Sequence, residues 1–131
     1  VDQNGFESVL VNRSDGLAIR LIKDLGIKQI IISTEENKVV SMRAKKLNID
    51  CNQNVMNKQS VVKEISRSNN IGSENIAFIG NDINDLDAMM ICGYPLCPLD
   101  ARQEIIKISY KVLPSLGGCG VIRDFYDLLI E

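Results

Sequence analysis

Three short segments hold the residues best suited to chemistry. Ser33-Thr34-Glu35 follows the β-branched run Ile30-Ile31-Ile32, Lys58 opens an amphipathic stretch, and Gly80-Asn81-Asp82-Ile83-Asn84-Asp85 follows Ile76-Ala77-Phe78-Ile79. A hydroxyl beside backbone N–H groups at a helix start can bind a phosphoryl oxygen. The same Ser33 and Thr34 also suit an ordinary helix N-cap. A lysine at a pocket rim neutralises phosphate charge, and a solvated surface lysine is the plain alternative for Lys58. Carboxylates and an amide oxygen crowded after a buried strand suit Mg²⁺, a hard cation that takes oxygen ligands. That gives Asn81, Asp82 and Asp85 as candidate metal ligands, although part of this cluster must also cap the next helix.

Composition removes most competing chemistries. The 131 residues contain no His, so a Ser-His-Asp triad, a Cys-His dyad and a His-ligated zinc are excluded. Lys+Arg is 15 against Asp+Glu 17, which leaves no basic surplus to neutralise a nucleic-acid backbone. Trp is 0 and aromatics are 5%, too few for a base-stacking platform. Cys51, Cys92, Cys97 and Cys119 form no C-x-x-C pair, so they read as reduced, buried thiols of a cytoplasmic protein. No run of about 18 apolar residues and no signal-peptide pattern is present, so no membrane association is expected.

The elements that must position these residues alternate along the chain. A turn at Asn4-Gly5 leads into a strand over 6–12. A helix over 15–25 stops at Gly26. The continuous β-branched run over 29–33 suits a strand covered on both faces. A helix over 37–47 places Val39, Val40, Met42 and Leu47 on its buried side, with Arg43, Lys45 and Lys46 elsewhere. Helices over 59–68, 85–91, 102–109 and 121–130 alternate with strands over 75–79, 94–97 and 110–113. Short buried strands joined by helices imply a mostly parallel, Rossmann-like sheet in a three-layer α/β sandwich, one domain over 1–131. In such folds the chemistry lies beyond the carboxyl ends of the strands, where the three segments sit.

The order Ser33, then Lys58, then the acidic loop resembles motifs two, three and four of the haloacid dehalogenase-like hydrolases. Arg13-Ser14-Asp15-Gly16-Leu17-Ala18-Ile19, Arg43-Ala44-Lys45-Lys46-Leu47-Asn48-Ile49 and Gly117-Gly118-Cys119-Gly120-Val121-Ile122-Arg123 are similar to stretches of the capless sugar-acid phosphatases. Those act on 3-deoxy-octulosonate 8-phosphate or nonulosonate 9-phosphates. Ser33-Thr34-Glu35 and Gly80-Asn81-Asp82 are also similar to the version fused behind acylneuraminate cytidylyltransferases. The resemblance implies a Mg²⁺-dependent phosphomonoester hydrolase that works through an aspartyl-phosphate. Ser33 would hold a phosphoryl oxygen, Lys58 would neutralise charge, and Asn81, Asp82 and Asp85 would serve Mg²⁺ or its loop. Thr34 and Glu35 would lie at the substrate rim, and Arg43 and Lys46 would face a sugar carboxylate. For Glu35, Arg43 and Lys46 a solvated helix face is the alternative.

The chain departs from that pattern twice. No Asp-x-Asp follows an apolar strand, so the nucleophile and the first core strand are expected upstream of Val1. Asn81 stands where the resemblance implies a metal-binding Asp; its amide oxygen can coordinate but brings no charge. A second expectation follows: a catalytically silent oligomerisation domain of a cytidylyltransferase, assembled as a homotetramer. A receiver-like signalling domain fails on order, since its acids come first and its lysine last.

Overall fold

The computed structural model describes residues 13–131. In chain order the elements are α1 (Arg13–Asp24), β1 (Ile30–Ile32), α2 (Lys38–Leu47), β2 (Asp50–Asn52), α3 (Lys58–Ser68), β3 (Ala77–Ile79), α4 (Leu86–Ile91), β4 (Tyr94–Cys97), α5 (Gln103–Ile108), β5 (Lys111–Val112) and α6 (Val121–Ile130). Single 3-10 turns at Ser73–Asn75 and Ile83–Asp85 precede β3 and α4. The strand expected over 6–12 lies outside the described residues. Two units emerge, the first built from residues up to Val55 together with Ser115–Glu131, the second from Met56–Pro114.

In the first unit, β1 and β2 pair in parallel, with Ile31 opposite Cys51. Helix α2 joins them, and α1 packs on α6. Asn37 starts α2 by accepting the Val39 N–H at 2.8 Å, leaving its own backbone extended. Asn48, with φ of 60°, ends it in the left-handed region that Asn tolerates. Val40 and Ala44, one turn apart, are the buried residues of α2. The expected burial of Val39 and Met42 is corrected: both are exposed, because each sits about 100° to 200° round the helix from Val40. Strand β2 was not expected at all. Its Asp50-Cys51-Asn52 alternates over only three residues, exposed, half-buried and exposed, too short a pattern to mark a strand, and it is extended in its ladder with β1.

In the second unit, β3, β4 and β5 form a parallel sheet with β4 in the middle. Met89, Cys97, Ala101 and Ile105 make its core, with Phe78, Leu86, Ile106 and Ile108 packed around them. Met89 and Ile105 are wholly buried, and each such side chain contributes about 1.5–3 kcal/mol by leaving water. The thiols divide by position. Cys92 and Cys97 are buried as expected, Cys51 is half-buried, and Cys119 is exposed, so the reading of uniformly buried thiols is corrected at Cys119.

Among the described residues no helix is long and apolar enough to cross a membrane.

Candidate functional site

Lys58 and Val62, one turn apart, share the buried face of α3. The cap residue Asn57 turns the chain into this helix by accepting the Ser60 N–H at 3.0 Å. Lys58 is therefore not a solvated surface lysine. Its Nζ lies 2.8 Å from Asp85 Oδ1, and both side chains are only 5% exposed. The other carboxylate oxygen, Asp85 Oδ2, accepts the backbone N–H groups of Asn81 at 2.9 Å and Asp82 at 3.2 Å. Asp82 Oδ1 accepts the Ile83 N–H at 2.7 Å, so Asp82 and Asp85 cap this turn together. Helix capping, one of the two roles foreseen for this loop, is thus present.

Gly80 makes the arrangement possible. It continues the ladder beyond β3 by donating its N–H to Leu96 O at 3.0 Å. A Cβ at this position would stand 2.7 Å from Asp85 Cβ, 2.8 Å from Asp85 Cγ and 2.8 Å from Met89 Sδ. Only glycine lets Asp85 fold back over the strand end toward Lys58. Asn81 is half-buried, and its carbonyl accepts the Arg102 N–H at 3.0 Å, tying the loop to the start of α5.

Ser33 ends β1 in the first unit and is fully buried. Its backbone continues the parallel ladder: Ser33 N–H donates to Asn52 O and Val55 N–H donates to Ser33 O, both at 2.9 Å. Its Oγ accepts the Glu35 N–H at 2.9 Å, a tight local turn that aims the following residues away from the sheet. Thr34 and Glu35 are half-buried. Glu35 Oε1 accepts the N–H groups of Glu36 and Asn37, each at 3.0 Å, so this carboxylate orders the approach to α2. On α2, Arg43 is half-buried and Lys46 exposed. The Arg43 Nε is shut off from solvent and has no hydrogen-bond partner among the described residues. A buried guanidinium donor without an acceptor is costly.

The structure thus brings Lys58, Asn81, Asp82 and Asp85 together in the second unit. It places Ser33, Thr34 and Glu35 on one loop of the first unit, with Arg43 and Lys46 on the helix that follows. Gln53 was missed. Its side-chain amide contacts the Glu35–Asn37 loop, and nothing in the polar stretch around it marked it out.

Mg²⁺ needs several oxygen ligands with exposed lone pairs. Asp85 spends one oxygen on the Lys58 ammonium and the other on two N–H donors. That leaves the Asn81 amide oxygen and the exposed Asp82 carboxylate, and among the described residues no group of three acidic or sulfur side chains is clustered for a metal. The described residues do not build a Mg²⁺ site by themselves.

Comparison with known proteins converges on one family. A family model described as haloacid dehalogenase-like hydrolase matches residues 13–123. The chain is similar to the N-acylneuraminate cytidylyltransferase of Oncorhynchus mykiss, with 26% identity over 134 residues. That match takes in 99% of this chain but 31% of the relative. It is 30% identical over 128 residues to the 3-deoxy-D-manno-octulosonate 8-phosphate phosphatase of Escherichia coli (strain K12), covering 97% of this chain and 68% of that one. Its fold matches the 3-deoxy-D-manno-octulosonate 8-phosphate phosphatase from Moraxella catarrhalis, solved in complex with magnesium ion, phosphate ion and KDO molecule. There the TM-score is 0.85 at 26% identity, over 89% of this chain and 68% of the other. The α/β organisation with parallel strands, expected from the sequence, is the fold of these neighbours. Matched over most of its length in sequence and in fold, the chain belongs to the haloacid dehalogenase-like hydrolases.

Proposed function

We propose that the chain is the phosphatase domain of a protein that hydrolyses a phosphorylated sugar acid, a 3-deoxy-octulosonate 8-phosphate or a nonulosonate 9-phosphate. One observation carries this reading: Lys58 is a buried cation held in place but not saturated. An ammonium has three N–H donors, and among the described residues Asp85 takes one. The remaining donors suit the oxygens of a phosphoryl group, whose transfer depends on positioning and charge stabilisation.

In the proposed reaction a carboxylate from outside the described residues attacks phosphorus. The P–O bond to the sugar breaks as the sugar oxygen gains a proton from a neighbouring acid. Water then attacks the aspartyl-phosphate, freeing inorganic phosphate and regenerating the carboxylate. Ser33 holds a phosphoryl oxygen, with Thr34 and Glu35 on the same loop at the substrate rim. Lys58 neutralises developing charge and Asp85 orients it. Arg43 supports the substrate class: a sugar carboxylate would give its buried Nε the acceptor that the described residues lack. Lys46, exposed on the next turn of α2, adds positive charge toward the same group. Mg²⁺ dependence belongs to this proposal. Asn81 and Asp82 are the oxygen donors that the loop can offer, and the further ligands must come from outside the described residues.

A second reading is favoured by Asn81 and by the likeness to a cytidylyltransferase. In it the domain is catalytically silent and holds a larger protein together as a tetramer. Phosphate release from both sugar-acid phosphates, measured on the full-length protein with Mg²⁺ and with EDTA, separates the two. Turnover in the wild type that disappears in a folded Lys58→Ala variant supports the phosphatase. A folded tetramer without turnover supports the assembly role and refutes the enzyme.

A further inference from the structure

We propose that Gln53 is a positioning residue for the loop that carries Ser33, Thr34 and Glu35. The proposal rests on the phosphatase reading and adds a residue that none of the three motif segments contains. The Gln53 side-chain amide nitrogen lies 3.0 Å from Glu36 O, 3.0 Å from Asn37 O and 3.4 Å from Glu35 O. Its amide oxygen accepts the Ser41 N–H at 3.1 Å, a second hold on the first turn of α2. The orientation of the amide is dictated by these partners. Reversed, it would set an oxygen against three carbonyls and an N–H₂ against an N–H.

The neighbouring backbone strengthens the clamp. Asn54 N–H donates to Glu35 O and Val55 N–H donates to Ser33 O, each at 2.9 Å. The segment leaving β2 thus grips the segment leaving β1 at Ser33, Glu35, Glu36 and Asn37. Without Gln53, the outer half of the loop loses its only long-range side-chain ties among those described, while the backbone bonds nearest Ser33 remain. The loop keeps its fold but loses its fixed aim. A displacement of about 1 Å in a positioning element typically costs about a hundredfold in rate.

The test uses the full-length wild type, Gln53→Ala and Gln53→Glu, with phosphate release from 3-deoxy-octulosonate 8-phosphate or a nonulosonate 9-phosphate. Gln53→Ala is expected to lower kcat/KM by about ten- to a hundredfold, mostly in kcat, with the melting transition retained. Gln53→Glu keeps the shape and the oxygen facing Ser41 but turns a donor into an acceptor against three carbonyls. Its activity relative to wild type should rise as pH falls toward the carboxyl range near about 4.3, where the acid regains an O–H donor. A purely structural residue would give no such relative pH profile. Variants that keep wild-type kcat and KM, or that lose activity only in step with their folded fraction, overturn the proposal. A wild type without turnover on either substrate refutes the phosphatase reading itself, so the wild-type arm distinguishes the two failures.

Discussion

Replacing Lys58 by methionine should expose how the buried pair is held. The substitution keeps the length of the apolar stem and removes the charge. It leaves the Asp85 carboxylate without its cation at 5% exposure, with its Oδ1 unmatched and its Oδ2 still bound by the Asn81 and Asp82 N–H groups. Breaking a buried ion pair from one side costs about 3–5 kcal/mol. The two surviving N–H bonds to a charged acceptor offset part of that, so the loss should fall near about 3 kcal/mol. Asp85→Asn is expected to cost at least as much, since it strands an ammonium and points an N–H₂ group near it. The double variant Lys58→Met with Asp85→Asn is neutral throughout. The Asn oxygen can still accept from Asn81 and Asp82, and the loss should shrink to about 1–2 kcal/mol.

The assay is urea unfolding of all four proteins at pH 7, followed by circular dichroism. With a slope of about 1.5 kcal/mol per molar urea, a loss of about 3 kcal/mol moves the midpoint by about 2 M. The decisive quantity is the coupling, expected at about 4 kcal/mol from these losses. Additive losses, with coupling below about 0.5 kcal/mol, would refute the claim that the two charges depend on each other.

Two further predictions follow from single positions. Gly80→Ala forces a Cβ to within 2.8 Å of Asp85 and Met89 side-chain atoms, so stability should fall by about 2 kcal/mol; a thermal transition unchanged from wild type would show that the strand end has room. Burial pushes the Cys92 thiol from 9.0 up to about 11. The folded state therefore holds the neutral thiol where the unfolded chain ionises, and this stabilisation is full below pH 9.0 and is lost as pH rises through about 11. Urea midpoints at pH 8 and pH 10.5 should fall further in wild type than in Cys92→Ala, and equal falls would remove Cys92 from the alkaline loss.

What the sequence shows and what it hides follows from the range of each interaction. Ile30-Ile31-Ile32, Phe78-Ile79 and the helices around them are visible because continuous apolar runs and helical spacing mark them locally, although the strands themselves are half-buried. Strand β2 is hidden because Asp50-Cys51-Asn52 is too short a pattern to mark a strand, and it is extended in its ladder with β1. Lys58 and Asp85 are each visible as polar residues at helix starts. Their contact joins positions 27 apart and is a property of the packed unit, not of either segment. Gln53 is hidden for the same reason: its partners lie 12 to 18 residues away, and no local period records them. Gly80 reads from the sequence as a strand stop, and only the approach of Asp85 shows that the loop requires it.

The energetics of the buried pair also bear on the choice between hydrolase and assembly module. Lys58 and Asp85 cancel in charge, and a buried pair of this kind adds little stability over well-packed neutral residues. A domain kept only to hold subunits together gains no more than that small margin from retaining it, and a neutral replacement should leave assembly intact. A hydrolase does need it, because the Asp85 carboxylate fixes Lys58 in a poorly solvated position while leaving ammonium donors for a ligand. The double variant therefore serves a second purpose. If it remains folded and keeps the wild type's assembly state but has lost phosphate release that the wild type shows, the pair is maintained for chemistry rather than for its modest contribution to stability. If the wild type shows no phosphate release and the double variant assembles as well as it does, the pair is a remnant, and the neutral Asn81 beside it fits a site that no longer turns over.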